Sequence, residues 1–394
     1  MDHTSRFIGA YTGFAIGDAF GYPCREMTFA QICERFEKRG CLRLAVSGKT
    51  NTALFSDATQ MTLFTTDGVL WAALSQSDDD GVNYTEYVFY ACQMWLYTQT
   101  RVVAGDEYTW LFDKTLNPYR SKLIKTKGLY RNRFANTVNI DLLAKMRNRA
   151  YGKLNAPLNA LEDTGAIKRV LAAGLFFNYD AQLAFRAGAD FCAITHGGAS
   201  AYLASGFYCA IMAQLINNKS MDEAVETATQ ILKTYPKHEY VLDIIEKVLT
   251  FLADKNMSPL AAISHIGTDD NAAQTLGIAL FSAMLFEDNF ENAIRLAVNH
   301  DGRSDVCGAL CGSLLGAYHG ARFVPKKWLQ KLSYLKLIED IALSLSEVSY
   351  FEEPEPPPEP EKDYDKNEVL DATTEINLSE ISEISDNTLE FIDR

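Results

Sequence analysis

The chain has 394 residues, of which 47% are hydrophobic and 22% are charged, and its formal net charge is −14. This length and composition predict a soluble globular protein with a large core, without an apolar run near the roughly 18 residues that a membrane span requires. Eight cysteines without a C-x-x-C pair favour buried thiols in a reduced, cytoplasmic setting and argue against a zinc site. The first residues lack the basic region of a secretory signal.

The negative charge is concentrated at the C-terminal end of the chain. Residues 351–394 contain 15 acidic and 3 basic residues, whereas the rest of the chain contains 36 acidic and 34 basic residues. The body is therefore almost neutral, and it shows no basic stripe interleaved with aromatic residues. We expect neither a nucleic-acid partner nor a membrane partner.

Residues 1–350 are predicted to form one all-α domain. Apolar residues recur at three-to-four spacing along most of this length, and alternation with period two is nearly absent, which predicts roughly 12 to 16 helices. Local signals predict helix starts and loops. The starts fall at Thr28, Ser258-Pro259 and Val324-Pro325, and the loops at Asn51-Thr52 and Asp79-Asp80-Gly81-Val82-Asn83.

Glycines recur at every fourth position near the end of the body. They are Gly308, Gly312, Gly316 and Gly320. Small residues at this spacing also occur in membrane dimer motifs, but in a soluble protein they indicate two helices that approach closely.

Residues 351–394 are predicted to form an acidic, disordered tail. The run from Glu352 to Pro360 is rich in Pro and Glu and is typical of an extended spacer. Beyond it, two short apolar islands lie within residues 378–392 among acidic residues. They could dock on a partner protein by folding on binding, or they could be incidental in a solubilising tail.

Four segments carry polar residues typical of a functional site. They are Gly13–Pro23, Phe55–Phe64, Ile194–Gly197 and Ala297–Asp305. In this combination and order they resemble the ADP-ribosylglycohydrolase family, and Asp163–Val170 extends the likeness through mid-chain. The resemblance implies an all-α fold, two bound Mg²⁺ ions, and removal of ADP-ribose from modified side chains. It covers the body and leaves only the acidic tail unaccounted for.

The departures from the family's pattern fall at its metal-binding positions. Where relatives carry five carboxylates, this chain reads Arg25, Asp57, Ala58, Arg303 and Asp305, which sum to zero charge. Glu26 follows the first of these positions, and Val306 replaces a hydroxyl residue after the last. Because guanidinium groups pair with carboxylates in bidentate geometry and repel Mg²⁺, we expect arginine–aspartate pairs in place of the metals and no metal cofactor.

These substitutions predict a pseudoenzyme that acts by binding ADP-ribose, an ADP-ribosylated protein or a partner enzyme. The catalytic residues Asp57 and Asp305 would be vestigial. The candidate ligand-binding residues are Arg25, Ser56, Thr59, His196, Asn299, Arg303 and Ser304. A partner enzyme would contact the cleft rim and the tail.

The alternative is an active hydrolase that cleaves the N-glycosidic bond of an ADP-ribosylated side chain with an altered or single Mg²⁺ site. Its metal ligands would come from Ser56, Asp57, Asp305 and Glu26, with Asp301 as a further candidate. Two other residues remain ambiguous, because His196 and His300 suit either ligand contact or a structural role. Asp18 is expected to cap or brace the start of a helix.

Overall fold

A computed structural model describes residues 2–75, 82–117, 119–135 and 137–349. The described residues form sixteen α-helices and no strand, with two isolated bridges, Ala53 to Leu332 and Lys153 to Ala156. The helices are α1 His3–Gly21, α2 Phe29–Arg35, α3 Asp57–Leu74, α4 Tyr84–Thr100, α5 Thr137–Lys145, α6 Leu171–Phe176, α7 Ala181–Ala193, α8 Ala199–Ile216, α9 Met221–Leu232, α10 Glu239–Ala253, α11 Pro259–Ile266, α12 Ala272–Leu285, α13 Phe290–Val298, α14 Ser304–His319, α15 Lys326–Leu329 and α16 Leu335–Val348. The predicted all-α fold is confirmed. The acidic tail, its spacer and most of the loop at Asp79–Asn83 lie outside the described residues.

The predicted helix starts are found close to where the sequence places them. Thr28 begins α2 with a capping box, in which its hydroxyl accepts from Gln31 N and its own N–H donates to the Gln31 side chain. Ser258 caps α11, and Pro259 is the first helical residue. The third start is displaced by one residue, because Pro325 occupies the cap position before α15.

Helices α1 and α14 pack against each other in antiparallel orientation at the centre of the fold. Their contact runs along paired glycines, and a Cβ added at Gly13 would overlap the carbonyl oxygen of Gly312, while one at Gly17 would overlap that of Gly308. The prediction that the glycine series permits close helix packing is confirmed. The contact places the C-terminal end of α1 beside the N-terminal end of α14.

Helix α8 corrects the expectation that no apolar stretch reaches membrane length. Its 18 residues have a mean hydropathy of 1.4, which satisfies the length and composition of a membrane span. However, 83% of this stretch is buried inside the fold, and a helix surrounded by others is apolar on every side. We therefore assign α8 to the protein core.

Seven of the eight cysteines are buried and Cys33 is partly buried, and all eight are free thiols. Within the described residues there is no group of three or more His, Cys, Asp or Glu side chains that could hold a metal ion. The buried thiols are therefore part of the apolar core.

Candidate functional site

The start of α3 is held by a carboxylate from α1. Asp18 accepts hydrogen bonds from Ser56 N at 2.9 Å, Thr59 N at 3.0 Å and the Thr59 hydroxyl at 2.5 Å. Burial raises the pKa of Asp18 to about 6, with a further contribution from the nearby carboxylate of Asp305. The Ser56 hydroxyl accepts from Ala58 N as the cap of α3. Asp18 thus braces the helix start, and Ser56 and Thr59 use their polar groups to fix it.

Asp57, the first residue of α3, lies between two cations. Its Oδ2 is 2.5 Å from the ammonium nitrogen of Lys168, and its Oδ1 is 3.3 Å from Nη1 of Arg25. Lys168 belongs to the short 3₁₀ helix Ile167–Arg169, and Asp57 and Lys168 are both inaccessible to solvent. Two opposite charges within 4 Å of one carboxylate compensate its burial.

Asp305, at the start of α14, also lies between two cations. Its Oδ2 is 3.4 Å from Nε of Arg25, and its Oδ1 is 3.5 Å from Nε of Arg303. Burial opposes ionisation of Asp305, but Arg303, Arg25 and Lys168 outweigh it and lower the pKa of this carboxyl. We call Arg25, Lys168, Arg303, Asp57 and Asp305 together the cation–carboxylate cluster.

Arg303 connects the cluster to the turn at residues 163–165. Its Nη1 lies 2.7 Å from Oδ2 of Asp270, and Oδ1 of Asp270 accepts from the backbone N–H and the hydroxyl of Thr164. Burial lowers the pKa of Arg303, but the carboxylates of Asp305 and Asp270 more than offset this effect and raise it. Arg303 is therefore a permanent cation, and its Nη2 has no hydrogen-bond partner among the described residues.

His196 lies in a buried hydrogen-bond chain. Arg169 donates to the Thr195 hydroxyl at 2.8 Å, and that hydroxyl is 2.8 Å from Nδ1 of His196. Because the Asp163 carboxylate can only accept, the Nε2–H of His196 donates to it at 3.0 Å, and Nδ1 of the neutral ring accepts from the Thr195 hydroxyl. Burial lowers the pKa of His196. Both ring nitrogens are thus used within the protein, which favours the structural role.

Two other predicted residues make structural contacts. The Asn299 amide accepts from Cys41 N and donates to the carbonyls of Cys41 and Arg295, which ties the segment around Cys41 to the end of α13. His300 donates from Nε2 to Ala297 O and accepts at Nδ1 from Gly302 N, and burial lowers the pKa of His300 to about 4. The neutral His300 fixes the turn before α14.

The remaining candidates differ in their exposure. Glu26 is 66% exposed, has a left-handed backbone and approaches Arg25 at 3.6 Å. Asp301 accepts from Phe29 N at 2.6 Å. The Ser304 hydroxyl is buried and has no partner among the described residues. Phe134 lies beside Arg25, which donates to the Phe134 carbonyl. Phe134 also has a left-handed backbone, and the residue is 63% exposed.

The residues around Asp57 and Asp305 do not fit a pair of magnesium ions. Mg²⁺ requires near-octahedral oxygen ligands, usually with one or two carboxylates and several waters. Here each carboxylate faces two cationic side chains, and the cluster contains three cations for its two carboxylates. A divalent ion placed between Asp57 and Asp305 would be repelled by Arg25, Lys168 and Arg303. The positive charge at this site therefore comes from the side chains of Arg25, Lys168 and Arg303.

Sequence reasoning did not foresee the roles of Lys168 and Asp270. Lys168 and Arg169 are two adjacent cations within an otherwise apolar stretch, Ala166 to Leu171. Fully buried cations in such a stretch require a carboxylate partner. That signal could have indicated Lys168. Asp270 lies between α11 and α12, outside the four segments considered, and only the folded chain brings it to Arg303.

Comparisons with known proteins agree with this architecture. A family model described as ADP-ribosylglycohydrolase matches residues 1–355. A solved structure titled "ADP-ribosylglycohydrolase-related protein complex" is 19% identical, the match covers 88% of this chain and 99% of that chain, and the TM-score is 0.52. No curated protein matches. The chain belongs to the ADP-ribosylglycohydrolase family.

Proposed function

We propose that this chain is a family member that binds ADP-ribose, free or attached to a protein, and does not carry out two-metal hydrolysis. The observation that carries the proposal is the pairing of Lys168 with Asp57 at 2.5 Å in the fully buried interior. Together with Arg25 and Arg303, Lys168 places three positive charges beside these carboxylates, where two Mg²⁺ ions would place four. A two-metal reaction needs ions to position its water and substrate, and this cluster lacks that capacity.

A diphosphate group is the part of ADP-ribose that suits the cluster. Arg303 is ionised, it lies at the start of α14, and its Nη2 has no hydrogen-bond partner among the described residues. A charge-assisted hydrogen bond from this nitrogen to a phosphate oxygen would be supported by the positive end of the helix dipole. Phe134, exposed next to Arg25, offers an apolar ring for the sugar or base.

Binding of ADP-ribose in the presence of EDTA tests the proposal. We expect calorimetry to detect one site, and Arg303→Ala to weaken it by about tenfold to a hundredfold, the effect of losing one or two hydrogen bonds to a charged group. Arg303→Lys, which keeps the charge, should lose less. Arg43→Ala is the matched control, because Arg43 is 87% exposed and lies outside the cluster. If ADP-ribose binds only when Mg²⁺ is added, the proposal is wrong.

The alternative, hydrolysis with a single Mg²⁺ ion, is favoured by one feature of the cluster. No side chain among the described residues donates a hydrogen bond of normal geometry to either carboxylate oxygen of Asp305, although both face guanidinium groups. Release of ADP-ribose from an arginine-modified protein distinguishes the two functions. The alternative predicts Mg²⁺-dependent release that Asp57→Ala abolishes, whereas binding without hydrolysis predicts no release above the uncatalysed background.

A partner protein is a further part of the proposal and rests on sequence alone. Residues 378–392 lie outside the described residues, and their apolar islands are the basis for proposing a docking segment. Pull-downs with the full chain and with a chain ending at Tyr350 test this point. Identical partners in both would exclude a docking role for the tail.

A further inference from the structure

A cavity lies apart from the cation–carboxylate cluster, between α4 and the segment that follows it. Its volume is about 280 Å³, and four aromatic side chains line it: Tyr97, Phe112, Tyr119 and Tyr130. The ring centroids of Tyr97 and Phe112 are 4.5 Å apart, and those of Tyr97 and Tyr130 are 6.3 Å apart. No residue of the cluster lines this cavity, so a ligand bound here would occupy a separate site.

The tyrosines present ring surfaces because two of their hydroxyls are already paired. The Tyr119 hydroxyl donates to Asp67 at 2.7 Å, and the Tyr130 hydroxyl donates to the Ile124 carbonyl at 2.8 Å. Trp71 stacks on Tyr119, with centroids 5.2 Å apart and planes 11° from parallel, and so fixes that ring. Aromatic walls with satisfied polar tips favour a flat, apolar ligand.

The charged residues of the cavity favour an anion. Its lining includes Lys114, Arg120, Lys125 and Asp113. The Asp113 carboxylate accepts from the N–H and hydroxyl of Thr115, and Arg120 donates to the Lys114 carbonyl at 2.6 Å, so these two groups shape the loop. Lys114 and Lys125 form no ion pair with other described residues. Both lysines are exposed residues, so they can meet a ligand.

The surrounding segment strengthens this preference. Between residues 113 and 133 the sequence contains seven lysines and arginines and one aspartate, whereas the other residues of the body contain 35 acidic and 27 basic residues. A local excess of positive charge raises the concentration of small anions near the cavity mouth. The volume lies just below the roughly 300 to 1,000 Å³ of drug-sized ligand sites, which suits a ligand of one or two fused rings and excludes a whole dinucleotide.

We propose that this cavity binds a small planar aromatic anion. Its rings lie against Tyr97, Phe112, Tyr119 and Tyr130, and its carboxylate, sulfonate or phosphate group lies between Lys114 and Lys125. The site is independent of the proposed binding of ADP-ribose, because the two share no side chain.

Three probes with the same ring system and different charge test the proposal by calorimetry. Naphthalene-2-sulfonate is the anion, 2-naphthol the neutral analogue and 2-naphthylmethylammonium the cation. We expect one binding site for the sulfonate, about tenfold weaker binding of the naphthol and weaker binding still of the ammonium compound. A charge at the rim of a site contributes on this scale, and added salt should reduce the difference.

Variants of the exposed lysines locate the site. Lys114→Gln combined with Lys125→Gln should weaken sulfonate binding about tenfold and leave naphthol binding unchanged. The control is Lys49→Gln combined with Lys255→Gln, which removes the same charge from exposed positions that lie outside residues 113–133 and do not line the cavity. Thermal melts verify that both double variants fold.

Equal binding of all three probes, an equal loss in the control variant, or no saturable binding of the sulfonate would each overturn the proposal. Arg303→Ala separates this site from the cluster. Unchanged sulfonate affinity in that variant supports a separate cavity, whereas loss of affinity would place the probe at the cluster and refute the assignment.

Discussion

The ammonium nitrogen of Lys168 lies 2.5 Å from Oδ2 of Asp57, and neither side chain is accessible to solvent. Burial lowers the pKa of Lys168, and the adjacent Asp57 opposes that shift. An ion pair at this depth has large desolvation costs, so each partner depends on the other. The residue that begins α3 is therefore part of an internal salt bridge.

Replacing Lys168 by methionine should destabilise the protein strongly. Met keeps most of the length of the side chain but leaves Asp57 with Arg25 as its remaining cation in the cluster. Removing one partner of a buried pair costs about 3 to 5 kcal/mol, which urea unfolding of Lys168→Met measures directly.

The matched control for this prediction neutralises both partners. The double variant Lys168→Met with Asp57→Asn should recover part of the loss, because no uncompensated carboxylate then remains. A loss of under about 1 kcal/mol for Lys168→Met alone would show that the pair is not the main compensation for Asp57.

The contact between α1 and α14 predicts a strong effect of a single methyl group. A Cβ at Gly312 would overlap the carbonyl oxygen of Gly13, so that the backbones of α1 and α14 would have to separate. We expect Gly312→Ala to cost about 3 kcal/mol or more, at the upper end of overpacking. Gly48→Ala is the control, because nothing lies within 4 Å of the added Cβ. Equal stability of the two variants would contradict the packing described.

The sequence predicted the helical body from apolar spacing and the α1 to α14 contact from glycine spacing, since both signals are local. The sequence also predicted which charged side chains lie close together at the site, because their positions converge in the family's fold. They are Arg25, Arg303, Asp57 and Asp305. These predictions needed only local pattern and motif order.

Other features needed the path of the folded chain. Asp270 reaches Arg303 from a connection that carries no motif, and the bridge through Thr164 depends on a turn more than 100 residues away. Helix α8 is apolar on every side because other helices surround it. Composition alone does not distinguish such a buried helix from one that spans a lipid membrane.

Asp67 predicts a change of stability with pH. Burial raises the pKa of Asp67 to about 6, although Ser121, Tyr119 and Lys122 oppose the shift. Because the folded state holds this proton more tightly than the unfolded chain, its stabilising contribution is present below about pH 4 and is lost as pH rises through 6. Relative to Asp67→Asn, the free energy of unfolding of the native chain should fall by about 2 kcal/mol between pH 4 and pH 7.

Urea unfolding at several pH values measures this difference. Asp141→Asn, at an exposed position on α5, is the control and should follow the native chain at every pH. A constant difference between the native chain and Asp67→Asn across this range would show that the carboxyl group titrates alike in the folded and unfolded states.

Titration of Mg²⁺ into the protein saturated with ADP-ribose tests the central claim most directly. If side-chain cations have replaced the metals, calorimetry will show no heat beyond that of Mg²⁺ added to the same concentration of ADP-ribose alone, and the dissociation constant for ADP-ribose will be the same in EDTA and in Mg²⁺. Saturable magnesium binding that disappears in Asp57→Ala would contradict the account.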